Sequence, residues 1–420
     1  MTAPRPIYIF AQGELLFLKE IPIATQTLAK QINELSILTM LRTHGNASRA
    51  DIARQLAVTP ATITRLVSTL IERNIVYEAE EGMDPAAQRD VGRPAKSIAL
   101  NPNGAFFLGV EIGVGIIRCV LLDLSVSVVD SFETEIARSI TPGEAVRVIT
   151  GYFAKLQIQP RFAGKIRSLC VTVPGLVSSK GFIDHLAVLG WENVSLLPEL
   201  YATTGLPCFT ENNADAAAFG SFYTRNASFG VCTIYLKVGS GCGGAVIING
   251  RLLRGSSGTA CELGHIPLTE TGARCHAGHT GCLESWVNLN ALARLLGKED
   301  LTESQLAELP ALTAKAAAAG GETAREAVRA IAHYLARGIS ALINIFNPTT
   351  IILGGAMIPI FEYGLDQIRA GISGGLVPGI PLPEIQLSQL GLFECAIGAA
   401  CIAHHKAFDL SNIDLTESAP

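Results

Sequence analysis

Charge is scarce in this chain. Asp, Glu, Lys and Arg make up 16% of 420 residues, against 49% hydrophobic residues. That balance excludes an extended disordered chain, which needs the opposite composition. Long apolar runs are missing too, so no segment is expected to cross a bilayer as a helix. The first residues, MTAPRPIYIF, lack the basic head, long apolar core and small-residue cleavage site of a secretory leader. A cytoplasmic protein without a membrane partner is expected. The 10 cysteines include isolated ones at 119, 170, 208, 232 and 395, the pattern of reduced thiols rather than of a disulfide framework. The length exceeds what one ordinary core organises, which predicts two or three domains.

The formal net charge is −5, unevenly spread. Residues 42–75 hold Arg42, Arg49, Arg54, Arg65 and Arg73 against Asp51 and Glu72. This basic island in an acidic chain permits nucleic-acid binding.

Around that island the pattern is helical. Ile32, Leu35, Leu38 and Leu41 recur at helical spacing. Ser48, three residues before Asp51, predicts a capped short helix ending near Leu56. Ala57-Val58 makes a tight connection. Thr59-Pro60 then supplies an N-cap and a first helical residue. The next helix would bury Ile63, Leu66, Val67, Leu70 and Ile71 and expose Thr62, Arg65, Ser68 and Thr69. Helix, short helix, turn and helix make a helix-turn-helix, with short polar groups and an Arg placed as a major-groove reader has them. Segments 75–77 and 97–100 read as strands around a polar loop, a wing, whose Gly92-Arg93-Pro94 suits a narrow minor groove. Candidate DNA contacts are Ser48, Arg49, Thr59, Ala61, Thr62, Thr64, Arg65, Ser68 and Arg93. A small helical bundle for protein contacts is the plainer alternative.

After residue 105 the pattern changes. Branched apolar runs at 106–112 and 116–123, joined by Gly113-Val114-Gly115, predict a hairpin. Helical stretches at 142–156, 283–296 and 323–346 alternate with strands at 166–173, 231–238, 245–248 and 350–353. This alternation predicts an α/β body of two lobes. The glycine-rich stretch VGSGCGGA at 238–245 carries Gly239, Gly241, Gly243 and Gly244, whose amides could cradle a phosphate. Gly354-Gly355, ending a strand, could admit a flat ring or simply turn the chain.

Several segments, in order, resemble the ROK family of sugar kinases and sugar-responsive repressors. They are EIGVGIIRCVLLDL at 111–124, VTVPGLV at 171–177, ENNADAAAFGS at 211–221, VGSGCGGAVIINGRLLRG at 238–255, ELGH at 262–265, GCLE at 281–284 and INIFNPTTIILGGA at 343–356. With the winged helix in front, the chain is similar to the repressor branch, of NagC, Mlc and XylR type. The resemblance implies an actin-like, ribonuclease H-like two-lobed sugar-kinase fold. Its expected domains are 1–100, then 101–214 with 390–420, then 215–389 with the dimerisation region.

The chain also departs from the kinase pattern. The first hairpin has Val114 and no hydroxyl where kinases have Gly-Gly-Thr-type chemistry at the phosphate. The kinases' Glu-Asn-Asp-Ala-Asn string is here Glu211-Asn212-Asn213-Ala214-Asp215, and the Asn213 amide cannot serve as a base. Phosphoryl transfer needs that base and a phosphate clamp, so loss of kinase activity, with ATP not used, is expected. The carried-over sugar contacts are Asn212, Asn213, Glu262, His265 and Glu284, and Gly239, Gly241, Gly243 and Gly244 are a phosphate-loop remnant. Asp184 and His185 replace part of the family's sugar loop. The family's zinc set matches at His265, Cys275 and Cys282, but Ala277 stands at one Cys position, leaving His276 or His279 as a fourth ligand. The expectation is a homodimeric or tetrameric repressor of carbohydrate genes, responding to a sugar or sugar derivative in the cleft. Two other readings stay open: an active sugar kinase with a regulatory head, and a regulator that senses a sugar-transport protein.

Overall fold

Thr59 and Ser48 start their helices as the sequence predicts. The Thr59 hydroxyl accepts the Thr62 N–H at 3.3 Å, and Pro60 opens the helix Pro60–Glu72. The Ser48 hydroxyl accepts the Asp51 N–H at 3.1 Å and caps the helix Arg49–Gln55. Between them Ala57 takes a left-handed φ of 52° to make the tight turn. The computed structural model describes residues 8–11, 14–17, 26–79, 96–186, 188–224, 232–298 and 300–408. The wing tip, with Arg89, Gly92, Arg93 and Pro94, lies outside the described residues.

The head contains the helix Gln26–His44, the two capped helices and a three-stranded sheet. Its strand order is Ala47–Ser48, Ser97–Leu100, Val76–Ala79, all antiparallel. Ile63, Leu66, Val67 and Leu70 are buried with Ile37, Leu41 and Ile52. Tyr8–Ala11 pairs with Glu14–Phe17 as a separate hairpin.

The body holds two five-stranded mixed sheets of the same pattern. In the first the order is Cys208–Asn212, Ile166–Val173, Phe106–Ile112, Ile116–Asp123, Val128–Glu135. In the second it is Glu384–Leu387, Thr350–Gly354, Cys232–Val238, Cys242–Ile248, Arg251–Leu252. Each has two parallel pairings followed by two antiparallel ones. Phe106–Ile112 is buried at every position, as a central strand covered on both faces must be.

Two elements differ from the sequence expectation. The strand expected at 245–248 begins at Cys242, because Gly243 and Gly244 pair with Lys237 and Leu236. The single helix expected over 283–296 is broken into Leu283–Val287 and Leu289–Leu295. Asn288 breaks it: its backbone is extended, its side-chain oxygen accepts the Ala291 N–H at 2.8 Å, and its amide donates to the Ser240 carbonyl at 3.1 Å.

The helix Asn213–Thr224 joins the parts. It packs on Cys232–Val238 and Cys242–Ile248 of the second sheet and on the helix Glu394–Ala407, which lies against the first sheet. Backbones touch here. A Cβ on Gly398 would sit 1.8 Å from the Ala216 carbonyl oxygen, and one on Gly109 2.1 Å from that of Ala396. The head is welded to the same place. Ile37 and Leu41 share one apolar core with Phe219, Tyr223 and Ala400.

Beside that core, His404 is almost fully buried. Tyr223 Oη donates to its Nδ1 at 2.9 Å, and its Nε2 donates to the Leu124 carbonyl at 3.1 Å. Burial holds the ring neutral. Burial, helped by Arg42 and His405 and opposed by the Leu124 carbonyl, pushes the His404 ring down to about 3. The unfolded chain takes up a proton there that the folded chain refuses, so stability rises with pH. The His404 contribution is intact above about pH 6.5 and is lost progressively as the pH falls from there through about 3. Urea melts across that window should show a smaller acid-dependent loss for His404→Gln than for the wild type.

Candidate functional site

The cleft between the lobes is walled by Gly175–Val177, Asn212, Ala214 and Asp215 on one side and by Gly243, Gly244, Gly258–Ala260 and Glu262 on the other. The cleft opens to solvent. The loop at Gly258 closes one end, where Ser179 N–H donates to the Ser257 carbonyl at 3.4 Å.

Asn212 shapes this wall rather than offering free groups. Its side-chain oxygen accepts the Ala214 N–H at 2.6 Å and the Asp215 N–H at 3.4 Å. Its amide donates to the Gly175 carbonyl at 2.9 Å. Next to it, Asn213 is buried and its side-chain oxygen has no partner among the described residues. Asp215 is buried in the wall, and burial with the nearby Glu211 charge raises its carboxyl well above the ordinary range. Sequence reasoning did not place Asp215 in the ligand set, although it lies two residues beyond the altered base. Glu262 stands at the open side.

Glu211 and Arg254 bridge the lobes. Arg254 Nη1 and Nη2 donate to the two Glu211 carboxylate oxygens at 3.0 and 2.5 Å. This forked pairing is the strong geometry for guanidinium and carboxylate, and neither residue was singled out as a site residue from the sequence.

Glu284 lies behind the cleft with both oxygens engaged. Oε2 accepts the Cys242 N–H at 3.1 Å, and Oε1 accepts the His276 N–H at 2.8 Å with His276 Nδ1 at 3.0 Å. Burial would raise this carboxyl, but the His276 side chain and the two N–H groups outweigh it and hold it low. His265, Cys275 and Cys282 come together with their ligand atoms within 4.8 Å of one another. His265 Nδ1 is buried and has no partner among the described residues, which fits a metal ligand. His276, committed to Glu284, and His279 do not join this group. Asp184 and His185 are exposed on a small sheet formed by 176–177, 183–186 and 191–194, outside the residues that line the cleft.

The turn expected to hold phosphate is short, and the space beside Gly354 is taken by Tyr235. Gly239, Ser240 and Gly241 form the turn of the glycine stretch, while Gly243 and Gly244 lie in the strand paired with Cys232–Val238. Gly243 meets Ala214 and Gly244 meets Leu263, so these two glycines serve packing. A Cβ at Gly354 would lie 2.0 Å from Tyr235 Oη. That hydroxyl donates to Glu394 at 2.7 Å, and Lys237 Nζ lies 3.7 Å from the same carboxylate. The bare backbone of Gly354 therefore admits Tyr235 on the face where its Cβ would stand. At the first hairpin, Glu111 pairs with Arg118 at 3.5 Å, and the Glu303 carboxylate lies 3.6 Å from a Cβ built at Gly115.

In the head, Ala61, Thr64 and Arg65 are exposed on the helix Pro60–Glu72, and Thr62 and Ser68 are half-buried on it. The hydroxyls of Thr59 and Thr62 bond each other at 2.9 Å, and Thr64 donates to the Pro60 carbonyl at 2.9 Å. Arg49 is bonded to Glu78 of the wing at 2.9 Å, and Ser48 is the helix cap.

The ROK family pattern matches residues 107–406. The chain belongs to the ROK family. The MarR family pattern matches residues 30–78, the winged head of this ROK protein. The xylose repressor of Bacillus spizizenii is 26% identical over 398 residues, covering 92% of this chain and 99% of that protein. The DNA-binding transcriptional dual regulator NagC of Escherichia coli is 26% identical, covering 84% and 87%. Among solved structures, a ROK family transcriptional regulator homologous to the E. coli Mlc protein superposes with a TM-score of 0.75 over 91% of this chain and 98% of that one, at 24% identity. A ROK glucokinase from Streptomyces griseus, in complex with glucose and AMPPNP, superposes at 0.61 over 72% of this chain and 100% of that one, at 27% identity.

Arg254→Ala should cost about 1–3 kcal/mol, since it leaves the buried Glu211 with the Asn212 N–H but without its two guanidinium donors. Denaturant unfolding measures this, and Glu211→Gln, which keeps one acceptor for Arg254, should cost less.

Proposed function

We propose that this chain is a DNA-binding transcriptional repressor of carbohydrate-metabolism genes, controlled by a sugar or sugar derivative in the interlobe cleft. One observation carries the reading. The position where a sugar kinase needs a carboxylate base is the Asn213 amide, in a chain whose capped winged head is complete apart from the undescribed wing tip. The space beside Gly354, taken by Tyr235, and the Glu303 carboxylate beside the first hairpin support a cleft that does not use ATP.

In this reading Thr62, Arg65 and Ser68 read base edges, with Ala61 and Thr64 on the same face. Arg49 and Ser48 act indirectly, by fixing the wing and the short helix. Arg93 enters the minor groove. The protein works in the cytoplasm as a homodimer or tetramer on a palindromic operator, whose half-sites are spaced by whole helical turns. Asp215 and Glu262 receive sugar hydroxyls, with the buried Asn213 amide, His265 and Glu284 behind them. No Lys or Arg lines the cleft among the described residues, so a parent sugar suits it better than the phosphate ester, whose charge would find no cationic partner there.

His265, Cys275 and Cys282 would hold zinc, which would supply structural cross-linking of the loop 265–282 under Glu284. Elemental analysis of the purified protein should find about one zinc per chain, and Cys282→Ser should reduce it to background. Metal-free wild-type protein would remove zinc from the account.

A thermal-shift panel of D-xylose, D-glucose and N-acetyl-D-glucosamine with their phosphate esters, run beside an ATP-consumption assay, tests the whole reading. A parent sugar should raise the melting temperature more than its ester, without ATP turnover. Sugar-dependent turnover abolished by Asp215→Ala would establish a kinase instead.

A further inference from the structure

The helix Asn213–Thr224 has one end in the cleft and the other beneath the DNA-binding head. At its start, Asn212 caps it and Asp215 lines the cleft. Its 12 residues span about 18 Å at the α-helical rise. Near its far end the Tyr223 ring lies under the Arg42 guanidinium, 4.3 Å from the ring centroid. Arg42 belongs to Gln26–His44, whose end leads directly into Ala47–Ser48 and the cap of the helix-turn-helix.

This path has little slack. Tyr223 Oη is bonded to His404 at 2.9 Å, and its ring stacks on Phe219 at 5.2 Å. A Cβ on Gly220 would lie 2.7 Å from the Gly398 Cα, so the two helices meet backbone to backbone. Close-packed interiors transmit displacement rather than absorb it. A change of the wall at Asp215 moves the helix as a unit and is delivered at Tyr223. The guanidinium–aromatic contact gives the head a directional grip on that ring, beyond the apolar core that surrounds it.

We infer that the helix Asn213–Thr224 carries the state of the cleft to the DNA-binding head, and that Arg42 on Tyr223 is the positioning contact through which it does so. The inference rests on reading the cleft as an effector site.

Hydrogen exchange on the full-length chain tests it in two arms. In the first, D-xylose, D-glucose and N-acetyl-D-glucosamine are each added at saturating concentration. In the second, Asp215→Ala alters the cleft without any sugar. In the wild-type background each perturbation that alters exchange at 212–217 should also change exchange across 26–44, by about twofold or more. In Arg42→Ala the response at 212–217 should persist and the response at 26–44 should vanish, with partial recovery in Arg42→Lys. A merely structural Arg42 would raise exchange at 26–44 by a constant amount and leave its response to the cleft unchanged. A response at 26–44 that survives in Arg42→Ala at wild-type size overturns the inference. So does an Asp215→Ala protein whose exchange changes at 212–217 and not at 26–44. If no sugar alters 212–217 while Asp215→Ala still reaches 26–44 through Arg42, the coupling stands and the sugar assignment of the cleft fails.

Discussion

The crossing of helices Asn213–Thr224 and Glu394–Ala407 brings two backbones into direct contact. Gly220 and Gly398 let the backbones touch there, and no larger residue fits at 398, where a Cβ would overlap the Ala216 carbonyl oxygen. Everything else hangs on that crossing. Through Gly109 the second helix is pressed against the first sheet, and through strands Cys232–Val238 and Cys242–Ile248 the first helix is pressed against the second. Through Tyr223 and His404 the pair also holds the head. The two lobes and the head therefore meet at one close-packed crossing, which passes a displacement on rather than absorbing it.

The cleft chemistry follows from how its carboxylates are spent. Glu211 bridges the lobes through Arg254, Glu284 fastens the loop of His276 to the strand at Cys242, and Glu394 fills the space at Gly354 together with Tyr235. These groups are occupied by the chain's own donors. Asp215 and Glu262 are the acidic side chains lining the cleft. Carboxylates and amides suit hydroxyl recognition, while phosphoryl transfer needs a base and a phosphate clamp that the Asn213 and Val114 positions do not supply. A ligand that bridges the walls can shift the lobes only by the difference in its affinity for the two arrangements, and the Glu211–Arg254 pair is one of the contacts it must work with.

Local signals were legible in the sequence. Thr59-Pro60, Ser48 before Asp51, and the hairpin 106–123 with its glycine turn depend on residues within a few positions of each other, and the structure forms them as expected. The altered Asn213 was legible because a family pattern exposes it. What stayed hidden depends on distant partners. The break at Asn288 needs the Ser240 carbonyl. The use of Gly243 and Gly244 as strand residues needs Ala214 and Leu263 behind them. The filling of the Gly354 space by Tyr235 joins residues over a hundred positions apart, and so does the stacking of Arg42 on Tyr223. The fourth zinc-ligand position was open in the sequence, and in the structure His276 is turned to Glu284 instead.

The central claim is that the cleft sets the affinity of the head for DNA. It is tested most directly by titrating the protein onto the DNA upstream of its own gene, at one fixed salt concentration, with and without the sugar that stabilises it. The account predicts a change in operator Kd of about fivefold or more. An operator Kd unchanged by a sugar that demonstrably occupies the cleft would contradict it.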